Sequence, residues 1–428
     1  MKKVGVAILG LGTVGGGTYQ ILTSKKQYFA KYHNLDVSVE SVLEINEARL
    51  KQLGVDPAIV TKNIAEVVSN PNVDIVVELI GGIEAAKSFI ITALKHGKTV
   101  VTANKELIAK YWHEIEETAK ANHTGFYFEA SCVGGVPIIR TLTESMQANE
   151  IISIKGIING TTNYILTKMA DEGRDFEEVL KAAQKKGYAE ADPTADVEGF
   201  DAAYKLSILS SLAFNVKVPL DKVYREGISK VTKEDIFLGK ELGYTLKLLA
   251  IGKKTPAGSE VRVHPTFIKN EHPLASVKGS FNAVYLVGDN VGEIMLYGKG
   301  AGALPTGSAV VSDIIFAAGK ADHFYVPFIN SKDGEKGVRF NDDFSCEYYL
   351  RMSVIDKPGV LAKIAGAMGS NNVSLREVIQ RGTAQQDGSV TLILLTHITN
   401  EKSIKAAIRE IEKLTDAVVS IDAMIRVE

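Results

Sequence analysis

Short apolar runs alternate with amphipathic stretches over the first third of the chain. Residues 3–9 (KVGVAIL) are uninterrupted and rich in branched side chains, the pattern of a parallel strand covered on both faces. A glycine turn follows, then a helix through about Lys26, and the same pattern predicts strands over 37–42 and 74–80. A helix over 84–96 and a strand over 98–102 continue the alternation. Strand–helix–strand order of this kind predicts an α/β fold with a Rossmann-type, doubly wound parallel sheet over residues 1–130.

Beyond residue 130 the rhythm changes. A strand over 151–158, helices over 176–186 and from Asp201, and strands over 259–268, 281–287 and 291–297 predict an α+β domain spanning 131–318. The glycine-rich stretch 299–308 (KGAGALPTGS) reads as a turn before a helix at 309–318, placed to pack back on the first domain. Residues 319–347 are polar and aperiodic and read as a linker. Residues 348–428 run strand–helix–strand–strand–helix–strand, the ferredoxin-like order, with the helix at 358–371 opened by proline in its first turn.

Composition narrows the class. The chain has 428 residues, a hydrophobic fraction of 45% and a net charge of −2, so it can bury several cores and gives no reason to expect nucleic acid or an anionic membrane as partner. No apolar run approaches the ~20 residues of a membrane span. The run after Met1-Lys2-Lys3 stops at Gly10-Leu11-Gly12, as a buried strand does and a signal peptide does not. Only Cys132 and Cys346 are present, too few for a disulfide framework. A cytoplasmic enzyme is expected.

Three places carry chemistry. Gly10, Gly12 and Gly15 form a GxGxxG fingerprint directly after a strand and opening a helix, with Thr13 and Val14 between them, where a dinucleotide pyrophosphate binds. The acid that reads the adenosine ribose would be Glu40 or Glu44, and either could equally be a surface glutamate. Lys105, behind Asn104 at the end of a predicted parallel strand, stands where ligands of such sheets gather. A cation in the first turn of a helix also opposes the macrodipole, which speaks for a purpose beyond solubility. The third place is residues 187–205 (GYAEADPTADVEGFDAAYK), five carboxylates followed by Lys205. Lys205 lies four residues after Asp201 on one helix face, which fits either a plain i,i+4 ion pair or a proton carrier beside a carboxylate that holds an ammonium.

Taken together, GLGTVG at 10–15, TANK at 102–105, NGTTNYILTKM at 159–169, the 187–205 segment and GKGAGALPTGS at 298–308 resemble homoserine dehydrogenase, in the form with a C-terminal ACT domain. With no kinase-sized segment before residue 1, the resemblance is to the monofunctional type. It implies interconversion of L-homoserine and L-aspartate 4-semialdehyde with NAD or NADP, in threonine, methionine and isoleucine biosynthesis. It also implies that Lys205 is the acid/base group and that Lys105 sits near substrate and nicotinamide. Glu190 and Asp201 would bind substrate, with Asp192 and Asp196 supporting the acidic pocket, and Gly187 and Gly302 would lie around the cofactor. A monovalent cation, sodium or potassium, would be held at Glu129, Cys132, Gly134 and Val136; Cys132 stands where valine is usual. Relatives often carry a basic residue near Ile45, whereas this chain offers Glu44. The segment 356–375 resembles the ACT signature, which implies that Asp356, Pro358, Gly359 and Val360 contact an amino-acid effector such as threonine, or serve dimerisation alone. A homodimer or homotetramer is implied.

Two rival readings remain at this level. Ala130-Ser131-Cys132 is also similar to the nucleophile segment of acylating aldehyde dehydrogenases, although Val133-Gly134-Gly135 follows instead of threonine or asparagine. An amino-acid sensor built on the ACT segment is the other, and it would not need both Lys105 and Lys205.

Overall fold

The computed structural model describes residues 1–319, 328, 338–381 and 388–428. Most of the linker expected at 319–347 lies outside these described residues. The chain forms two compact units, each assembled from separated segments: Met1–Gly160 with Asp201–Val223 and Ser280–Val338, and Thr161–Phe200 with Tyr224–Gly279 and Arg339–Glu428.

The first unit contains a six-stranded sheet in the order Val60–Thr61, Leu35–Leu43, Lys2–Leu9, Ile75–Glu78, Thr99–Thr102, Phe126–Tyr127. All pairings are parallel. From Val4 onward the first strand is buried throughout, which is why its sequence shows no alternation. The helix after it ends at Ser24, earlier than the pattern indicated, and a separate helix, Lys26–His33, follows before Asn34 turns the chain in the left-handed conformation. Three antiparallel strands complete the unit, Ile151–Ile157 beside Phe281–Gly288 beside Gly292–Lys299.

One helix of this unit departs from the sequence expectation. It runs over Ala303–Gly319, so residues 303–308 are its first turns and not a loop. Pro305 is tolerated there because the first-turn amides have no helical partner. This helix packs on Thr13–Ser24 with the backbones in contact: a Cβ on Gly17 would lie 2.1 Å from the Ala303 carbonyl oxygen. Val310, Val311 and Ile314 share a core with Val6, Ile8, Val77 and Val101 of the parallel sheet.

In the second unit, Tyr244–Thr255 and Gly258–Lys269 form a long antiparallel hairpin. The first of these strands is not legible as such, because leucines interleaved with lysines fit a helix as well and both faces are buried. The C-terminal part has the expected order: strands Val418–Val427, Ser345–Ile355, Ser389–Thr396 and Leu375–Arg381 side by side, with helices Val360–Ser370 and Glu401–Ile411. Pro358 precedes the first of these helices and does not open it; Gly359 is its N-cap, with φ at 89°. The last strand also pairs with the hairpin, Arg426 opposite Thr266, so this sheet is joined to the rest of its unit.

That junction is sealed by a buried guanidinium. Arg426 donates to Glu226 Oε2 at 2.7 Å, Glu226 Oε1 at 2.9 Å, the Tyr224 hydroxyl at 2.7 Å and Glu401 Oε2 at 3.1 Å. No helix among the described residues is long and apolar enough to cross a membrane.

Candidate functional site

The glycine loop has the shape a pyrophosphate needs. Gly10 sits at φ 87°, and a Cβ on Gly15 would lie 1.9 Å from the Gly10 carbonyl oxygen, so neither accepts a side chain. At Gly12 the same position is open space. The helix beginning at Thr13 has no acidic residue in its first turn, leaving its amide dipoles available to an anion. These residues therefore fit a dinucleotide.

The two glutamates of the second strand separate. Glu40 lies within the strand, bonded to Ser38, about 10 Å short of its carboxyl end at ~3.3 Å per residue. Glu44 stands at that edge and accepts from the amides of Leu11 at 2.7 Å and of Ile45 and Asn46, both at 2.8 Å. Burial acts to raise its pKa, but these amides and Arg49 outweigh it and hold the carboxyl below its usual range. Arg49 Nε in turn donates to the Leu11 carbonyl at 2.7 Å, so acid and base together brace the loop.

At the carboxyl edge of the sheet, hydrogen bonds fix the start of the Lys105 helix. Asn104 caps it, accepting from the Leu107 amide at 3.1 Å and donating to the Gly82 carbonyl at 2.6 Å. Thr102 accepts from the Asn104 amide at 3.0 Å and donates to the buried Glu78 carboxylate at 2.7 Å.

Lys105 then meets the Phe200–Phe214 helix. Its Nζ lies 3.3 Å from Asp201 Oδ1, while Lys205 Nζ donates to Asp201 Oδ2 at 2.7 Å and to the Ile158 carbonyl at 2.9 Å. Asn159 Nδ2 adds a third contact to the Asp201 carboxylate, donating to Oδ2 at 2.9 Å. Burial pushes the Asp201 pKa up, but Lys205 and Lys105 more than offset it and hold the carboxyl at about 2. Lys105 is 41% exposed on its side chain and Lys205 only 12%, so one lysine borders solvent and the other is enclosed.

The loop at 129–136 has its own order. Glu129 accepts from the amides of Ile139 at 2.8 Å and Arg140 at 2.9 Å, and its own amide donates to Asp313 at 2.8 Å. Val133 and Gly134 are both left-handed, at φ 57° and 53°. For a β-branched residue this is a strained position, of the kind that persists where it turns a carbonyl to use. One carboxylate and main-chain carbonyls make a hard donor set, which suits a sodium or potassium ion. Cys132 is wholly buried, and burial, only partly offset by Ser131, pushes its thiol up to about 12. Such a thiol is a poor nucleophile, which counts against the aldehyde-dehydrogenase reading.

Gly187, Glu190, Asp192 and Asp196 belong to the second unit. Gly187 ends the preceding helix at φ 73°, with its amide bonded to the Gln184 carbonyl at 3.0 Å. Glu190 is exposed, with its carbonyl held by Gln184 at 3.0 Å, and Asp192 accepts from the Thr194 amide at 3.1 Å. In the C-terminal sheet Asp356 is exposed and bonded to Gln380 at 3.2 Å, beside exposed Pro358 and Gly359 and the buried Val360. Gly302, in the first unit, is at φ 122° just before its helix.

Asn159 and Glu78 are the residues sequence reasoning passed over. Asn159 heads a quoted motif, so its signal was present. Glu78 carries none, since a glutamate ending an apolar strand looks like the strand's exit to solvent.

The chain as a whole matches known proteins. The family model for the homoserine dehydrogenase NAD-binding domain matches residues 10–129, that for homoserine dehydrogenase 137–315, and that for the ACT domain 348–416. The homoserine dehydrogenase of Neisseria gonorrhoeae is 44% identical over 434 residues, covering 100% of this chain and 99% of the relative. A crystal structure of a homoserine dehydrogenase from Thiobacillus denitrificans superposes with a TM-score of 0.92 at 42% identity, covering 100% of this chain and 99% of that one. A hyperthermophilic archaeal homoserine dehydrogenase in complex with NADPH gives 0.62 at 30% identity, covering 74% of this chain and 97% of its own. A relative this close, aligned from end to end, places the chain in the homoserine dehydrogenase family.

Proposed function

We propose that this oxidoreductase interconverts L-homoserine and L-aspartate 4-semialdehyde with Lys205 as the proton carrier. The observation that carries the reading is a single buried carboxylate, Asp201, holding two lysines at 2.7 and 3.3 Å. Lys205 spends two of its three N–H groups on Asp201 and Ile158. The third can reach a substrate oxygen. As an ammonium, Lys205 can donate a proton to an aldehyde oxygen as it becomes an alcohol. Lys105, bordering solvent, places substrate and nicotinamide. The family resemblance makes Asp201 a substrate-binding residue, and Glu190 another, with Asp192 and Asp196 in support. When bound, the nicotinamide supplies or accepts the hydride. Gly10, Gly12, Thr13, Val14 and Gly15 hold its pyrophosphate, with Gly187 and Gly302 around the cofactor; the NADPH complex of the archaeal relative supports that class of ligand.

Glu129 and the carbonyls of Cys132, Gly134 and Val136 would hold a monovalent cation that steadies this loop. The ACT domain, through Asp356, Pro358, Gly359 and Val360, would answer threonine. The chain would assemble as a dimer or tetramer in the cytoplasm and serve threonine and methionine synthesis.

Oxidation of L-homoserine by the purified chain, with NAD and NADP in parallel and sodium or potassium present, tests the reaction. Reduced nicotinamide with either cofactor supports it, and silence with both overturns it. Millimolar threonine that leaves the rate unchanged removes the effector role.

A further inference from the structure

The second unit holds a buried ammonium group that this chemistry does not use. Lys247, in the strand Tyr244–Thr255, is 2% exposed. Its Nζ donates to Asn163 Oδ1 at 3.0 Å and to the Val277 carbonyl at 2.5 Å, and both acceptors are neutral. The other buried cations of this unit each reach a carboxylate: Arg262 meets Glu428, Arg351 meets Asp235, and Arg426 meets Glu226 and Glu401. Among the described residues Lys247 has no such partner. Asp171 acts on it only from a distance and is itself paired with Lys278 at 3.3 Å.

Lys247 lines a cavity of about 160 Å³, together with Lys240, Lys278, Asp171 and an apolar wall of Leu166, Ile236 and Leu246. Three lysines against one aspartate leave this lining with an excess of two positive charges. An ammonium enclosed without a counter-charge is unfavourable, and an anion in the cavity would relieve it. Burial, with a smaller push from Lys278, lowers the Lys247 pKa to about 8.

We propose that this cavity binds a small carboxylate. Its oxygens take the third N–H of Lys247 and the charge of Lys240 and Lys278, and its carbon chain lies on the apolar wall. The volume admits a short-chain acid and excludes a nucleotide.

The test is thermal unfolding of the full chain in sodium acetate against sodium chloride at equal ionic strength. A saturable rise in Tm with acetate is expected, since a ligand that binds only the folded state stabilises by mass action. Lys247→Met should weaken the response about tenfold or more, the loss of a hydrogen bond to a charged group. Lys240→Gln, a change at an exposed side chain that leaves the fold intact, should raise the half-saturating acetate concentration about threefold. Lys205→Ala, which removes the proposed catalytic ammonium, should leave the response as in the wild type. Equal Tm in the two salts, a response unmoved by Lys240→Gln, or one that disappears with Lys205→Ala would each overturn the proposal. Should Lys247→Met fail to fold, the Lys240 and Lys205 variants still decide.

Discussion

Two clusters of buried charge, one in each unit, solve the same electrostatic problem to opposite ends. Around Arg426, two carboxylates and a phenol surround a guanidinium that is 0% exposed. Around Asp201, two lysines flank one carboxylate, and one of those lysines is 41% exposed. Arginine keeps its proton under any physiological condition, so the first cluster can only hold. Lysine can give its proton up when its surroundings change, so the second can act. What separates the clasp from the proposed reaction centre is which partner is in excess and whether one of them faces water.

Breaking the second cluster should show most in the chemistry. Lys205→Ala is expected to cut turnover about 10²–10⁴-fold with cofactor binding little changed, by steady-state kinetics beside a cofactor titration. Breaking the first should show in stability. Arg426→Met strands two acids and should cost about 3–5 kcal/mol in urea unfolding, while the folded fraction keeps its turnover. If the Arg426 variant lost turnover in its folded fraction as well, the division between the clusters would fail.

A titration sharpens the contrast. The Asp201 carboxyl lies near 2 in the folded chain, and unfolding returns it to about 3.9, so the unfolded chain takes up the proton first. Its contribution, about 2–3 kcal/mol, is complete above about pH 4 and lost as pH falls toward 2. Urea midpoints of wild type and Asp201→Asn should therefore converge over that window and differ above it. Smallest of all, Lys168→Ala breaks the i,i+4 pair with Glu172 and should leave the urea midpoint almost unmoved, since this pair lies on an exposed helix face. A larger loss there would mean that ion pairs in this chain are strong wherever they occur.

The parallel sheet and the C-terminal order were legible because their strands are short, apolar and punctuated by glycine. Tyr244–Thr255 was not, because a strand buried on both faces loses its alternation and its leucines fit either period. Around the site, Asp201 and Lys205 could be read from a four-residue spacing on one helix. The meeting of Lys105 with Asp201 could not, since nothing local records a contact across ninety-six positions. Glu40 and Glu44 were equal in the sequence; strand register separates them, leaving Glu40 inside the sheet and Glu44 at its edge.

The backbone contact between Gly17 and Ala303 bears on how the chain is made. The parallel sheet is complete in translation once Tyr127 has emerged, yet its core includes Val310, Val311 and Ile314. Until residues up to 319 leave the ribosome, the nascent nucleotide-binding half carries an open apolar face. A fragment ending near residue 130 would keep that face for good. An expressed domain intended for cofactor studies must therefore supply the distant helix, in cis or as a second peptide.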